Sequence, residues 1–416
     1  MALDVYGLRL LARPRVQRLA LGVFLGVVLL YRLLQVVAFS NQVQWGYDFS
    51  FYWAAAIQLL HGLPIYSAAQ LAGPYAPQGQ EGFLYPPPFA AALTPFAAVL
   101  PGDARLINWL WFGLGLVLLV GAVLAIARTE RLGERFALLR GRGAWWLVAA
   151  ALALPPVVAE LVLGNVNLEI LALLSAAWLG IRRDTRKGEL VAGAAIGAAA
   201  LIKVFPGLLI LWLLVTRRWW AAAASIGAIL VLALVTLPIT GVQPWLDYPT
   251  VLLNLGAPSD TTDTLAPTVW LTPILGYGLA RMVVTIIGLA IVVAMALRVG
   301  TGARAGLGAR GSVVAASFGA AVATSVLVAP AVYQHYLAIL VLPLLLAVVA
   351  GARLRWLAIA YLLMWGGEQA ALGDYAWILN KGLPTLGAVL LLGLLVLAAW
   401  IAGGPRRLAA TTAPAG

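Results

Sequence analysis

Three ionisable side chains, Asp48, Lys203 and His335, lie far apart in this sequence, each beside an apolar stretch. Ionisable groups are costly inside a membrane, so those that occur there usually face a cavity and serve a purpose. A lysine and a histidine can hold an anion, while an aspartate can take a proton from an attacking hydroxyl group. The chemistry that suits this set is transfer from a lipid phosphate.

Each of these residues also has a simpler interpretation. A lone aspartate near an interface is more often a helix cap or a solvated loop residue, and a lone histidine is more often a hydrogen-bonded structural residue. Glu160 and Asn167 belong to the same predicted cluster, but Glu160 could merely pair with a neighbouring helix. For Lys203 the functional interpretation is favoured, because a lysine at the tip of a broken membrane helix needs a polar partner there.

The composition indicates a polytopic helical membrane protein. The chain has 416 residues, of which 63% are hydrophobic and 10% charged, and its mean hydropathy is +0.97. Apolar runs recur at about the 20-residue length that crosses a bilayer. The net charge of +12 comes from basic clusters between these runs, which is typical of cytoplasmic loops rather than of nucleic-acid binding. Without cysteine and with only two histidines, disulfides are excluded and a multi-histidine metal site is not expected.

The basic clusters orient a model with twelve spans and both termini in the cytoplasm. A basic N-terminus, 1–18, precedes a single transmembrane domain, 19–402, and a flexible tail, 403–416. A cleaved signal peptide is the alternative at the N-terminus, but the long apolar run and Arg32 within it argue against one. The predicted spans are 19–39, 104–127, 144–163, 167–181, two short helices within 190–216, 219–240, 281–299, 311–330, 336–350, 356–373 and 383–402.

The segment 190–216 should begin and end in the cytoplasm, because basic clusters flank it on both sides. Pro206 interrupts its helix pattern, so we predict two short helices that meet at a tip containing Lys203. Each is too short to cross a bilayer, since a helix rises about 1.5 Å per residue. The tip should therefore line a cavity.

Two large segments, 40–103 and 241–279, are predicted on the outer side. In the first, the dense aromatic residues of 49–60 predict a helix lying at the membrane interface, with Trp and Tyr at headgroup depth. Three prolines after Tyr85 predict the start of a second short apolar helix, 89–100.

A series of motifs in fixed order resembles glycosyltransferase family 87, over about residues 20–350. The motifs are Gly46-x-Asp48-Phe49-x-x-Tyr52, Tyr85-Pro86-Pro87, Gly164-Asn165-x-Asn167, Gly193-x-x-x-Gly197 leading to Ile202-Lys203-x-x-Pro206, and Pro330 near His335-Tyr336. The resemblance implies a GT-C fold and a mannosyltransferase that depends on a polyprenyl-phosphate sugar. No single motif is specific; their order carries the similarity.

The resemblance implies an inverting hexosyl transfer on the outer face of the cytoplasmic membrane. The donor would be a polyprenyl-phosphate sugar, most often mannose, and the acceptor a lipid-linked glycan or glycolipid. Asp48 matches the catalytic aspartate of the family and would be the general base, while His335 would assist at the donor phosphate or the acceptor. Lys203 is expected to bind the phosphate, an assignment that comes mainly from the topology. The expected substrate contacts are Tyr52, Tyr85, Asn167 and Glu160.

The sequence departs from the family pattern at Val332-Tyr333-Gln334, just before His335, which leaves open what His335 contacts. No Asp-x-Asp motif occurs, and a lipid monophosphate has no diphosphate that requires a divalent cation. We therefore expect neither a metal nor a cofactor beyond the lipid-linked sugar, and no nucleic-acid partner.

Two alternatives stay open. A transporter or lipid flippase could use Lys203 to bind an anionic lipid-linked substrate, but the two halves of the sequence show no symmetry, and only the first half carries the larger loop. An arabinosyltransferase or glucosyltransferase could use the same type of donor.

Overall fold

The computed structural model describes residues 14–75, 82–100, 102–256, 258, 264–302, 307–366 and 378–402. Within these ranges the chain is helical and has no strand. The all-α polytopic membrane architecture predicted from the composition is confirmed. Most of the predicted N-terminal segment (residues 1–13) and the predicted tail (403–416) lie outside the described residues.

The helices of residues 14–182 include the one that carries Asp48. They are α1 (Pro14–Phe39), α2 (Tyr47–Leu60), α3 (Ala68–Ala72), α4 (Pro87–Val99), α5 (Ala104–Thr129), α6 (Leu132–Arg135), α7 (Trp145–Ala153), α8 (Pro155–Leu163) and α9 (Asn167–Arg182). Short 3₁₀ turns at Ala137–Leu139 and Gly141–Ala144 lead into α7.

The helices of residues 186–402 are separated by the non-α-helical turns that carry Lys203 and His335. The helices are α10 (Arg186–Ile202), α11 (Leu208–Val215), α12 (Trp219–Thr240), α13 (Gln243–Leu255), α14 (Pro267–Leu275), α15 (Tyr277–Gly302), α16 (Leu307–Leu327), α17 (Val341–Ala350), α18 (Leu354–Leu363) and α19 (Leu383–Ala402). 3₁₀ turns occupy Phe205–Gly207 and Gln334–Leu340, and a π-helical turn at Ile378–Gly382 leads into α19.

Five helices among the described residues are long and apolar enough to cross a bilayer: α1, α5, α12, α15 and α19. They match five of the predicted spans, and α7 with α8 gives a sixth candidate if the bent pair counts as one span. The other predicted spans correspond to α9, α10, α11, α16, α17 and α18. Several of these are short for a bilayer of about 30 Å, so the total of twelve crossings stays a prediction.

The third predicted span, 144–163, is not one continuous helix. It breaks at Leu154, and α7 and α8 are inclined by 68° to each other. Pro155 and Pro156 cause the break, because proline lacks an N–H donor and disfavours helical geometry in the residue before it. Leu154 is accordingly extended, with a ψ of 124°.

A buried arginine compensates for this break. Arg32 of α1 is only 4% exposed, and its Nε donates a hydrogen bond of 3.2 Å to the carbonyl of Ala153 at the end of α7. The hydroxyl of Tyr361 donates to the carbonyl of Ala150 at 2.8 Å. Carbonyls at a helix end lack partners within the helix, so the charge inside the first predicted span stabilises the bend in the third.

The aromatic residues Tyr52 and Trp53 of α2 are buried within the protein. Tyr52 and Trp53 are 1% and 3% exposed. Tyr52 packs edge-to-face on Phe89 of α4, with ring centres 5.0 Å apart, and Phe49 packs on Trp111 of α5 at 5.1 Å. α4 and α5 cover these side chains, and the position of α2 at the membrane interface stays a prediction. This packing fixes the start of α2, where Asp48 lies.

The predicted break around Lys203 is present. α10 ends at Ile202, Lys203 is extended, and the chain turns through Phe205–Gly207 into α11. Glycines hold α10 against α12: a Cβ at Gly193 would overlap the carbonyl oxygen of Ala221, and one at Gly197 would overlap that of Ser225. Small residues of this kind let membrane helices approach closely. The motif leading to Lys203 therefore positions the lysine by packing.

We predict that Gly193→Ala destabilises the protein by about 1–3 kcal/mol, because the added methyl group meets backbone that cannot move aside. The matched control is Gly227→Ala on α12, where a Cβ meets nothing within 4 Å and alanine is the better helix former. Thermal unfolding in detergent measures both. A Gly193→Ala variant as stable as the control would contradict the proposed packing role.

Candidate active site

Asp48 lies in the first turn of α2, and two glycines place it. Gly46 caps the helix with a φ of +66°, and its N–H donates to the carbonyl of Val162 at 2.8 Å. Gly164 ends α8 with a φ of +68°, and a Cβ there would come within 2.8 Å of the Phe49 Cβ. Only glycine adopts these conformations readily. The start of α2 is therefore held against the turn between α8 and α9.

The Asp48 carboxylate has two neighbours at one oxygen. Oδ2 accepts a hydrogen bond of 2.8 Å from Nδ2 of Asn165 and lies 3.7 Å from Nε2 of His335. His335 comes from the 3₁₀ turn before α17, where its ring stacks on Tyr333 with centres 5.8 Å apart. The predicted approach of Asp48 and His335 is thus present in the geometry.

Lys203 is buried, with 6% of its surface exposed. Its Nζ donates to Oδ1 of Asn165 at 2.9 Å and to Oδ1 of Asn167 at 3.0 Å. It also lies 3.6 Å from the centre of the Tyr336 ring, a cation–π contact that favours the ammonium form. The lysine predicted at the broken tip therefore reaches the same cluster as Asp48.

Glu160 and Asn167 lie behind the cavity wall. The Glu160 carboxylate accepts hydrogen bonds from the backbone N–H of Asn167 and, at 2.7 Å, from its Nδ2. Both residues are almost fully buried. Buried polar groups need hydrogen-bond partners, and the side chain of Asn167 joins the carboxyl group of Glu160 to the ammonium group of Lys203. The geometry gives these two residues a supporting position rather than a place on the cavity surface.

Two phenols complete the cluster. Tyr52 donates from its hydroxyl to that of Tyr85 at 2.7 Å, and Tyr85 also accepts from Nδ2 of Asn165 at 3.2 Å. Tyr66 donates to the backbone carbonyl of Tyr85 at 2.6 Å, which fixes the segment before α4. Burial raises the pKa of Tyr52 and of Tyr85 well above the usual value, so both stay neutral hydrogen-bonding groups.

Two cavities meet at this cluster. The first, here called the aspartate chamber, has a volume of about 510 Å³ and is bordered by Asp48, Asn165 and His335. The second, the lysine chamber, is smaller at about 120 Å³ and is bordered by Lys203 and Phe205, with a mainly apolar lining. The residues common to both are Tyr75, Leu84, Tyr85, Tyr333 and Tyr336. The carboxylate and the ammonium group thus face two neighbouring spaces that share these five lining residues.

The surroundings of Asp48 balance opposing effects on its proton affinity. Burial raises the pKa of the carboxyl group, whereas the hydrogen bond from Asn165 and the charge of Lys203 act in the other direction. The pKa of the carboxyl group is above its usual value as a result. A carboxylate with raised proton affinity at the edge of a cavity can act as a general base.

Asn165 is a site residue that the sequence interpretation did not single out. It touches Asp48, Lys203, Tyr85 and Asn167, whereas only Asn167 of the Gly164-Asn165-x-Asn167 motif was expected to be functional. The motif was the available signal, but nothing in it distinguishes the amide that reaches the carboxylate. No group of three or more His, Asp or Glu that could hold a metal ion occurs in the part of the chain that the structure describes.

A known protein family matches the stretch that carries Tyr85, Asn165 and Lys203. The family model described as glycosyltransferase family 87 matches residues 83–315, which is more than half of the 416-residue chain. No curated protein gives a match. The matched stretch includes Tyr85, Asn165 and Lys203, while Asp48 precedes it and His335 follows it. The chain belongs to glycosyltransferase family 87.

Proposed function

We propose that this membrane glycosyltransferase transfers a hexose from a polyprenyl phosphate to a lipid-linked glycan or glycolipid, and that the hexose is mannose. The observation that carries the proposal is the placement of a carboxylate and an ammonium group on two chambers that meet at Tyr85 and Tyr336. Glycosyl transfer needs a base near the incoming hydroxyl group and positive charge near the departing phosphate. The two chambers offer one group for each task.

The lysine chamber suits the donor. Its apolar wall includes Phe205, Leu252 and Leu255, which suits the first isoprene units of a lipid. An ammonium group has three N–H donors, and the amides of Asn165 and Asn167 take two of those on Lys203. The third would donate to a phosphate oxygen beside the Tyr336 ring, which Nζ also contacts. Lys203 would then neutralise charge that grows on the phosphate as the glycosidic bond breaks.

The aspartate chamber suits the acceptor. Its larger volume of about 510 Å³ is in the range typical of small-molecule sites. Asp48 would remove the proton of the acceptor hydroxyl, whose oxygen attacks the anomeric carbon. The bond from that carbon to the phosphate oxygen breaks on the opposite face, and its electron pair leaves with the phosphate. The new glycosidic bond therefore has inverted configuration.

We assign His335 to the acceptor side. It borders the aspartate chamber together with Asp48 and is absent from the lining of the lysine chamber. Its Nε2 lies 3.7 Å from Oδ2 of Asp48, the same oxygen that accepts the hydrogen bond from Asn165. His335 can therefore hold the carboxylate in place or contact the acceptor. Phosphate binding, the other role expected for His335, has less geometric support than it has for Lys203.

The membrane arrangement belongs to the same proposal. Basic clusters lie in the predicted cytoplasmic loops, which supports a multi-pass enzyme of the cytoplasmic membrane with both termini inside and the site on the outer face. Mannose is the proposed sugar, and glucose and arabinose are the alternatives on the same type of donor. Offering purified enzyme the three polyprenyl-phosphate sugars separately tests the choice, and preferred transfer of glucose or arabinose would overturn the assignment of mannose.

We predict that Asp48→Asn lowers transfer by about 10²–10⁴-fold, because the amide cannot accept the acceptor proton. Purified enzyme in proteoliposomes, given labelled polyprenyl-phosphate mannose and a lipid extract as acceptor source, measures the rate. The control is Asp103→Asn: Asp103 caps α5 through its side chain, and asparagine caps equally well. Near-normal transfer by Asp48→Asn would overturn the base assignment. Labelled donor that changes leaflet without forming a new glycolipid would support the flippase instead.

We predict that Lys203→Gln lowers transfer and raises the KM for the donor, because the phosphate loses its cation. The single variant leaves Glu160 buried without its cationic neighbour, which is costly. The double variant Lys203→Gln with Glu160→Gln restores charge balance and is expected to recover thermal stability in detergent but not transfer. The exposed Lys187 gives the control Lys187→Gln. Recovered transfer in the double variant would show that Lys203 is only structural.

A further inference from the structure

We propose that Asn165 is the positioning residue of the base. Its amide holds one oxygen of Asp48, leaves the other oxygen for the acceptor hydroxyl, and connects the carboxylate to the ammonium group of Lys203. This inference rests on the proposed function of Asp48 as the general base. Its observable consequence is a shift in the pH dependence of transfer when the amide is replaced.

The contacts of Asn165 determine which way its amide faces. Oδ1 accepts from the backbone N–H of Val166 at 2.8 Å and from Nζ of Lys203 at 2.9 Å. Both of these groups can only donate, so the oxygen must point to them. Nδ2 must then point to the opposite side, where it donates to Oδ2 of Asp48 at 2.8 Å and to the hydroxyl of Tyr85 at 3.2 Å. The donors on one side and the acceptors on the other therefore determine which way the amide of Asn165 faces.

A carboxamide suits this position better than other side chains of its size. The two hydrogens on Nδ2 match two acceptors, Asp48 and Tyr85, while Oδ1 matches the donors on the other side. Aspartate would place a second carboxylate against Asp48, and leucine would leave both sides without partners. Asn165 is 5% exposed, so water cannot easily substitute for the lost contacts.

The arrangement makes the two oxygens of Asp48 unequal. Oδ2 is engaged by Asn165 and faces His335, and Oδ1 therefore remains the oxygen that can approach an acceptor hydroxyl. A hydrogen bond to the charged form of a carboxyl group favours that form. Asn165 thereby keeps Asp48 ionised at lower pH than its burial alone would allow.

Removing the amide donor should move the pH dependence in a defined direction. Transfer needs ionised Asp48, so it falls as pH decreases through the pKa of that carboxyl group. Loss of a donor to the ionised form raises the pKa, and the acidic limb of the profile moves to higher pH. A hydrogen bond to a charged group corresponds to a shift of about 1–2 pH units.

The charged and titratable side chains that face Asp48 from the surrounding elements are Lys203, His335, Glu160, Tyr52, Tyr85 and Tyr336.

The test measures transfer against pH for purified full-length enzyme in proteoliposomes, with labelled polyprenyl-phosphate mannose saturating. Asn165→Leu is expected to move the acidic limb upward by about 1–2 pH units. The matched control is Asn167→Leu, since Asn167 also binds Lys203 and donates to Oδ1 of Asn165 but has no hydrogen bond to Asp48. It is expected to lower the rate without moving the limb. A general structural defect would affect both profiles alike.

A second variant covers the case in which Asn165→Leu does not fold. Asn165→Asp keeps the shape and the acceptor for Lys203 but faces Asp48 with negative charge, so the limb should move upward at least as far. An unshifted limb in a folded Asn165 variant, with Asp48→Asn inactive, would overturn the positioning role alone. Absence of transfer by the wild-type enzyme with every polyprenyl-phosphate sugar would overturn the proposed function and this inference with it.

Discussion

The charge on Lys203 is the constraint on which the site depends. Its ammonium group is buried, and an isolated charge in such a position is strongly unfavourable. Two asparagines hold it, and each of them also contacts a carboxylate: Asn165 contacts Asp48, and Asn167 contacts Glu160. The cation therefore lies between two acids without a direct ion pair to either. This leaves part of its charge available to a phosphate, which a tight salt bridge would not.

The backbone around the cluster serves this arrangement. Lys203 reaches the centre because Pro206 prevents α10 from continuing, and because glycines let α10 pack closely on α12. Asn165 reaches it because Gly164 turns the chain between α8 and α9. The bend at Leu154, which Arg32 supports, sets the direction in which α8 delivers Glu160. Polar side chains at the site thus depend on helix breaks that are stabilised elsewhere.

The sequence predicted the broken hairpin and the grouping of Asp48, Lys203 and His335, because prolines, basic clusters and span order are local signals. It did not predict the bend at Leu154. Pro155 and Pro156 lie within the predicted span 144–163, but a span is recognised from hydropathy averaged over many residues, which hides a local break. The role of Asn165 was also not predictable. An amide that bridges two charges is recognised only when both partners are in place, and those partners lie 117 and 38 residues away along the chain.

The separation of the two chambers bears on the stereochemistry of transfer. An inverting displacement requires the nucleophile and the leaving group to lie on opposite faces of the anomeric carbon. If phosphate lies at Lys203 and the acceptor at Asp48, the sugar must occupy the junction between the chambers, where Tyr85 and Tyr336 face both spaces. Tyr85 is fixed there by hydrogen bonds from Tyr52 and Asn165. The amide that holds Asp48 therefore also fixes a residue that borders both chambers. Under the proposed mechanism, the orientation of the base and the placement of the reacting carbon would then be coupled through one side chain.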